Sequence, residues 1–293
     1  MEIQDREPLI RIPLEKIGFK GVRKRITLNT PEGPLALDVS LDLLVSIGDE
    51  RRGAHLSRSI EALDLGALLA EERPRSLEDY LKSVARRLLD LHDYAYKAEA
   101  RARTLYYARL EFAGIVGLEP VDVDIRVEVS RSGEELWSTR VTVAGMSVCP
   151  SAQETIAGLI GWSPAPSHVQ RVYLSGRATT WGEMVRIEDV ATALSQSFSA
   201  PAFTLLKRMD EARLVLEAHR NPKFAEDIAR EALLNMARVL YSKLNGDAVL
   251  EAEVASLESI HPHNVYAYAR GTLRGLLHRL EESLRKSSRN NSS

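Results

Sequence analysis

The chain has a single cysteine, Cys149, among 293 residues, which excludes an intrachain disulfide and any multi-thiolate zinc site built within one chain. It has no long apolar run. Stretches such as residues 41–47 fall far short of the roughly 20 residues that span a bilayer. The opening MEIQDREPLI has neither the basic start nor the apolar stretch of a signal peptide, so the expected location is cytoplasmic, with no membrane partner. Nor does charge of one sign prevail: 39 basic against 41 acidic residues leave a net charge of −2, so no global basic field exists to hold a nucleic acid. An anionic ligand must be met locally. What is present is 44% apolar residues, enough for a substantial core in one large domain or two small ones.

The apolar residues fall into clear periods. Leu35, Leu37, Val39, Leu41, Leu43, Val45 and Ile47 alternate with polar positions, the period of a half-buried strand. Residues 22–29 precede it across the turn-forming TPEGP of 30–34, which predicts an antiparallel hairpin. Ser76 with Asp79 three residues on has the form of a capping box, and Leu77, Leu81, Val84, Leu88 and Leu91 recur at helical spacing. Strand periodicity returns over 104–112 and 123–129, and after the polar turn RSGE of 131–134 over 136–148, 168–176 and 248–257. Helices are predicted over 187–198 and 224–241 and in a last amphipathic segment carrying Leu273, Leu276, Leu277, Leu280 and Leu284; a frayed polar tail is expected at 287–293. Strands then helices, twice over, predict an α+β chain with antiparallel sheets covered by helices on one face. The two predicted modules are residues 1–133 and 134–293.

Five stretches, and His168 beside them, carry residues suited to chemistry. In GMSVCPS, 145–151, Cys149 stands at a predicted strand end before a ladder-stopping proline; that is a place to present a thiolate, though a lone cysteine also suits a small buried apolar position. LESIHPHN, 257–264, packs Glu258, His261 and His263 into six residues, and either a helical turn or an extended run brings a carboxylate and an imidazole together. His168 opens a strand, and with Cys149, His261 and a carboxylate it completes a donor set that suits Zn²⁺ or Fe²⁺. LLKRMDE, 205–211, and NPKFAED, 221–227, mix acids and bases near helix boundaries. A buried carboxylate there can accept two parallel hydrogen bonds from the edge of guanine, and a solvated helix surface has the same spacing. RRGAHLSR, 51–58, gathers three arginines, a histidine and a serine, a set that suits phosphate oxygens or a simple helix cap.

Six segments in order resemble the type IB GTP cyclohydrolases, and most closely the archaeal branch that starts methanopterin synthesis. They are RRGAHLSR, like GxHMSR; TVAGMSVCPSAQE, 142–154, like TGMTxCPCAQE; PSHVQR, 166–171, like THxQR; and SAPAFTLLKRMDE, 199–211, HRNPKFAED, 219–227, and ESIHPH, 258–263. Two departures stand out. Ser151 replaces the second thiol of Cys-Pro-Cys, and Leu56 replaces a methionine, the latter a near-isosteric change.

The resemblance implies a tunnelling fold of tandem modules that assembles as a homo-oligomer, dimer or tetramer, with active sites at subunit interfaces. It implies one metal ion per subunit, Fe²⁺ with Zn²⁺ or Mn²⁺ as alternatives, held by Cys149, His168, Glu258 and His261. Glu211 would be a nearby carboxylate able to join or replace a ligand. His261 or His263 would move protons, Glu226 would anchor guanine, and His55, Arg58, Lys207 and Arg208 would meet the phosphates. The implied substrate is GTP, opened at C8 with loss of formate. The product would be 7,8-dihydroneopterin 2',3'-cyclic phosphate in the archaeal branch and the triphosphate in the bacterial one. Two rivals are a nitrile reductase of the same fold, which would use Cys149 as a nucleophile and leave Glu258, His168 and His261 without work, and a silent pterin- or purine-binding module.

Overall fold

A computed structural model describes residues 3–63 and 74–290, with side chains to residue 282. The strands are β1 (Leu14–Thr30), β2 (Gly33–Ile47), β3 (Lys97–Phe112), β4 (Ile115–Ser130), β5 (Glu135–Val148), β6 (Val169–Trp181), β7 (Ala200–Pro201), β8 (Val249–Leu257) and β9 (Val265–Thr272). The helices among the described residues are α1 (Leu56–Glu61), α2 (Leu77–Leu91), α3 (Pro150–Ile160), α4 (Ile187–Ser195), α5 (Arg208–Arg220), α6 (Ala225–Leu240) and α7 (Leu273–Asn290). The strands form one nine-stranded sheet in the order β1-β2-β3-β4-β5-β6-β8-β9, with β7 on β5. The mixed fold with an antiparallel sheet and helices is the expected α+β class.

Two compact units divide the chain: Met1–Leu105 with Val123–Thr139 and Trp181–Met184, and Tyr106–Asp122 with Arg140–Thr180 and Val185–Ser293. The boundary expected near Gly133 falls in the turn where Gly133 N–H donates to the Ser130 carbonyl, with φ +90°.

In the first unit the expected hairpin forms, closing at Thr30 opposite Gly33. The alternating Leu37, Val39, Leu41, Leu43, Val45 and Ile47 are all buried, as are Leu81, Val84 and Leu88 of α2, which packs on β2. Gly18 lets β1 approach β2 closely, since a Cβ there would lie 1.9 Å from the Leu43 carbonyl oxygen. The other face of β2 is not simply solvated. Asp42 is 2% exposed and accepts from the Gly21 N–H at 2.9 Å and from Arg103 at 2.6 Å. The predicted cap of α2 is present: Ser76 Oγ accepts the Asp79 N–H at 3.1 Å.

In the second unit α6 buries Ile228, Ala232, Leu233, Met236 and Leu240 and packs on β8, β9 and α4. The far end of β5 sits over a smaller cluster of Val148, Ala200, Leu214 and Ala218. Two elements had no periodicity to betray them. α3 buries none of its residues, and β9 shows only exposed or half-exposed positions, so neither has the apolar stripe that sequence patterns rest on. The helix expected at 187–198 stops at Ser195, and the tail expected to fray is helical to Asn290, with 291–293 outside the described residues.

Candidate functional site

Cys149 lies where a strand becomes a helix. β5 ends at Val148, Pro150 begins α3, and Cys149 is the N-cap residue, with no hydrogen bond from its side chain to the helix. Proline suits that first helical position because its missing N–H would have no partner there. The half-buried thiol is free. Its backbone is tied down on both sides: the N–H donates to the His168 carbonyl at 3.2 Å, and the carbonyl accepts from Ser167 Oγ at 2.7 Å and from the Gln153 N–H at 3.2 Å. Gln153 Nε2 in turn donates to the carbonyls of Ala165 and His219, at 2.9 and 2.8 Å.

His168 stands at the start of β6, alongside the end of β5. Its Nδ1 lies 2.9 Å from Gln170 Oε1, Gln170 Nε2 donates to Ser147 Oγ at 3.0 Å, and Ser147 Oγ donates to the Lys223 carbonyl at 2.6 Å. Gln170 and Ser147 are buried, and so is Lys223, whose Nζ donates to the Ser197 carbonyl at 3.2 Å and pairs with Glu231. Ser147, Gln170 and Lys223 lie inside motifs yet were not among the expected site residues. Their side chains support a neighbour, a role that residue type alone does not reveal.

Glu258 follows β8, whose Leu257 pairs with Arg171 of β6, so β5, β6 and β8 bring Cys149, His168 and Glu258 to one end of three adjacent strands. Ser256 Oγ donates to Glu258 Oε1 at 2.8 Å. His261 and His263 are exposed on the following turn, with rings stacked 5.2 Å apart and 9° from parallel. Among the described residues no three of the histidines, cysteine and acids converge closely enough to hold an ion, so the expected set of Cys149, His168, Glu258 and His261 is gathered only in part. By chemistry a thiolate, imidazoles and a carboxylate suit a borderline divalent metal. Lys207, Arg208 and Glu211 are exposed at the start of α5, and Glu226 is exposed in the first turn of α6.

His55 and Arg58 belong to the first unit. Asp5 Oδ1 lies 3.0 Å from His55 Nε2 and also pairs with Arg51, whose guanidinium sits 3.9 Å from the centre of the Tyr94 ring. The hydrogen bond from His55, with the Arg51 charge beside it, holds the Asp5 carboxyl below its ordinary range. The Tyr94 hydroxyl accepts the His55 N–H at 3.0 Å, and Arg58 donates to the Leu91 carbonyl at 3.1 Å. Beneath them lies His92, fully buried, with Nδ1 at 2.8 Å from the Leu88 carbonyl; burial pushes its pKa down. Asp5 and Tyr94 thus complete a cluster of which the sequence pattern gave only His55 and the arginines.

Solved structures similar in fold include a uricase from Bacillus fastidious, with TM-score 0.52 at 12% identity over 90% of this chain and 95% of that one. A hyper-thermostable AgUricase mutant matches with TM-score 0.53 at 9% identity over 88% and 92%. At such identities the likeness concerns the fold alone, and that fold is the expected tunnelling fold. Among curated relatives, the GTP cyclohydrolase MptA of Aeropyrum pernix is 53% identical over 273 residues, covering 92% of this chain and 95% of that protein. GTP cyclohydrolase MptA 1 of Methanocella arvoryzae is 31% identical over 289 residues, covering 91% of each. The profile described as type I GTP cyclohydrolase folE2 matches residues 1–267, a span that takes in the Cys149 turn, the His168 strand and the His261 turn. The chain therefore belongs to the type I GTP cyclohydrolase folE2 family and is an enzyme of that class.

Proposed function

We propose that this chain is a metal-dependent GTP cyclohydrolase of the type IB, archaeal kind, converting GTP to 7,8-dihydroneopterin 2',3'-cyclic phosphate, formate and diphosphate for methanopterin-type cofactor synthesis, the diphosphate leaving as a side-chain hydroxyl closes the ring on the α-phosphorus. The observation that carries the reading is the joint placement of Cys149, His168 and Glu258 at one end of β5, β6 and β8, in a chain 53% identical to an archaeal MptA. The ion would be held by Cys149, His168, Glu258 and His261, with Fe²⁺ favoured by the archaeal resemblance and Zn²⁺ or Mn²⁺ also suited to the donors. When bound, it supplies Lewis acidity for the addition of water to C8.

The protein's own groups do the rest. The Glu226 carboxylate, open at the start of α6, accepts the N1–H and 2-amino hydrogens of guanine as a bidentate pair. His263, exposed on the turn after β8, gives a proton to the purine nitrogen as the C8–N9 bond breaks, as an imidazole can. Glu211, exposed in the first turn of α5, would be a further carboxylate able to join or replace a ligand. Lys207 and Arg208, exposed before and at the start of α5, meet phosphate oxygens, with His55 and Arg58 as further contacts. A second water releases C8 as formate, and ribose opening, rearrangement and ring closure complete the pterin. The enzyme works as a homo-oligomer. Edge strand β9 supports this, with Tyr266 64% and Tyr268 50% exposed.

Anaerobic incubation of chelator-stripped protein with GTP and Fe²⁺, Zn²⁺, Mn²⁺ or no metal tests the reading. A cyclic phosphate pterin formed only with metal is expected, identified by mass and by fluorescence after oxidation. A triphosphate pterin moves the chain to the bacterial branch. Turnover without metal refutes the metal-dependent chemistry, and no pterin under any metal leaves a binding module.

A further inference from the structure

The hydrogen bonds behind His168 have a direction that their donors and acceptors impose. The relay starts at the Lys223 carbonyl, which can only accept. Ser147 Oγ, 2.6 Å away, therefore places its one hydrogen there. To Gln170 the serine oxygen then offers only a lone pair, so the amide turns its Nε2 toward Ser147, at 3.0 Å. Gln170 Oε1 is left facing His168 Nδ1 at 2.9 Å, and an acceptor at that distance calls for a hydrogen on Nδ1. Ser147 is 1% exposed and Gln170 7%, so water does not compete for these positions. The starting carbonyl is itself fixed, because the Lys223 N–H donates to Val148 at 3.0 Å and its buried Nζ is held by Ser197 and Glu231.

We infer that Gln170, oriented by Ser147, is a positioning residue that holds neutral His168 as its Nδ1–H tautomer and leaves the lone pair on Nε2. A neutral imidazole offers one nitrogen to a ligand, and the hydrogen bond at the other decides which. Gln170 thus selects the nitrogen through which His168 acts, without touching the reacting atoms. The consequence for metal binding rests on the reading that His168 is a ligand; the tautomer does not.

Two measurements keep the claims apart. The full chain, ¹⁵N-labelled at histidine and free of metal, is examined by long-range proton–nitrogen correlation at about pH 8.5, where imidazole is neutral; His168→Gln assigns the signal. In the wild type, His168 shows a protonated Nδ1 and an unprotonated Nε2. Gln170→Leu removes the acceptor and Ser147→Ala frees the amide to turn, so both shift the ring toward a tautomer mixture, whereas Gln170→Glu keeps an acceptor and restores the Nδ1–H form. Thermal melts check that each variant folds, and Ser147→Ala, which removes a single oxygen, gives the answer if Gln170→Leu does not. A wild-type His168 protonated at Nε2, or a tautomer unmoved in both Gln170→Leu and Ser147→Ala, overturns the inference.

Co²⁺ titration then reads the consequence: Gln170→Leu binds about 10- to 100-fold more weakly and Gln170→Glu close to the wild type. A wild type that takes up no Co²⁺ refutes the metal reading while the tautomer result stands.

Discussion

Cys149 illustrates how little a residue's own surroundings demand when function demands the residue. Its side chain is half-exposed and makes no capping bond, while its backbone is held by His168, Ser167 and Gln153. Cys149→Ala is therefore expected to change stability by no more than about 0.5 kcal/mol. Turnover of GTP should fall below detection, with the melting temperature as the control. His92 is the opposite case, a buried imidazole held neutral. In the unfolded chain it takes its proton near pH 6.5; in the folded protein burial lowers that pKa, so the unfolded state binds more protons between the two values. This contribution to stability is complete above about pH 6.5 and is lost as pH falls toward the folded pKa. Denaturant titrations from about pH 7.5 to 5.5 should show a decline that is shallower in His92→Gln. An equal slope in both proteins counts against it.

At the scale of elements, local signals fixed the hairpin and α2 because both rely on short-range chemistry. Thr30 and Gly33 close β1 and β2 where turn formers stand, and Ser76 caps α2 through the Asp79 N–H. Ser76→Ala should cost about 1 kcal/mol in urea unfolding, since the first turn of α2 loses an acceptor. An Asn at the same place should recover most of it. α3 and β9 were illegible for the converse reason: one buries no side chain and the other exposes most of its own, so no periodic stripe marks them. They matter nonetheless, since α3 carries the Cys149 turn and β9 closes one end of the sheet order.

For the whole molecule, the expectation is self-association. β9 is an edge strand with Val265, Tyr266 and Tyr268 exposed, an arrangement that soluble proteins ordinarily cover or blunt with charge. Sedimentation equilibrium should find a species heavier than the 32.6 kDa chain, and Tyr266→Glu should shift it toward the monomer. A monomeric wild type would count against interface-built sites.

The sequence by itself determined the class of fold and the chemical cast. Alternation at period two and recurrence at three and four follow from which face of a strand or helix meets the core, and motif order carried the family. Residue type alone offered Cys149, His168, His261 and a carboxylate as donors, because thiolate, imidazole and carboxylate are legible in one letter each, and the family resemblance made Glu258 that carboxylate. Only the tertiary structure decided how these residues are supported. The Lys223 carbonyl lies 76 residues along the chain from Ser147, and the relay from it to His168 arises where β5, β6 and the approach to α6 meet. Likewise Asp5 reaches His55 across 50 residues. Hydrogen-bond direction depends on distance and donor count at one place in space, and no linear spacing encodes a contact between segments so far apart.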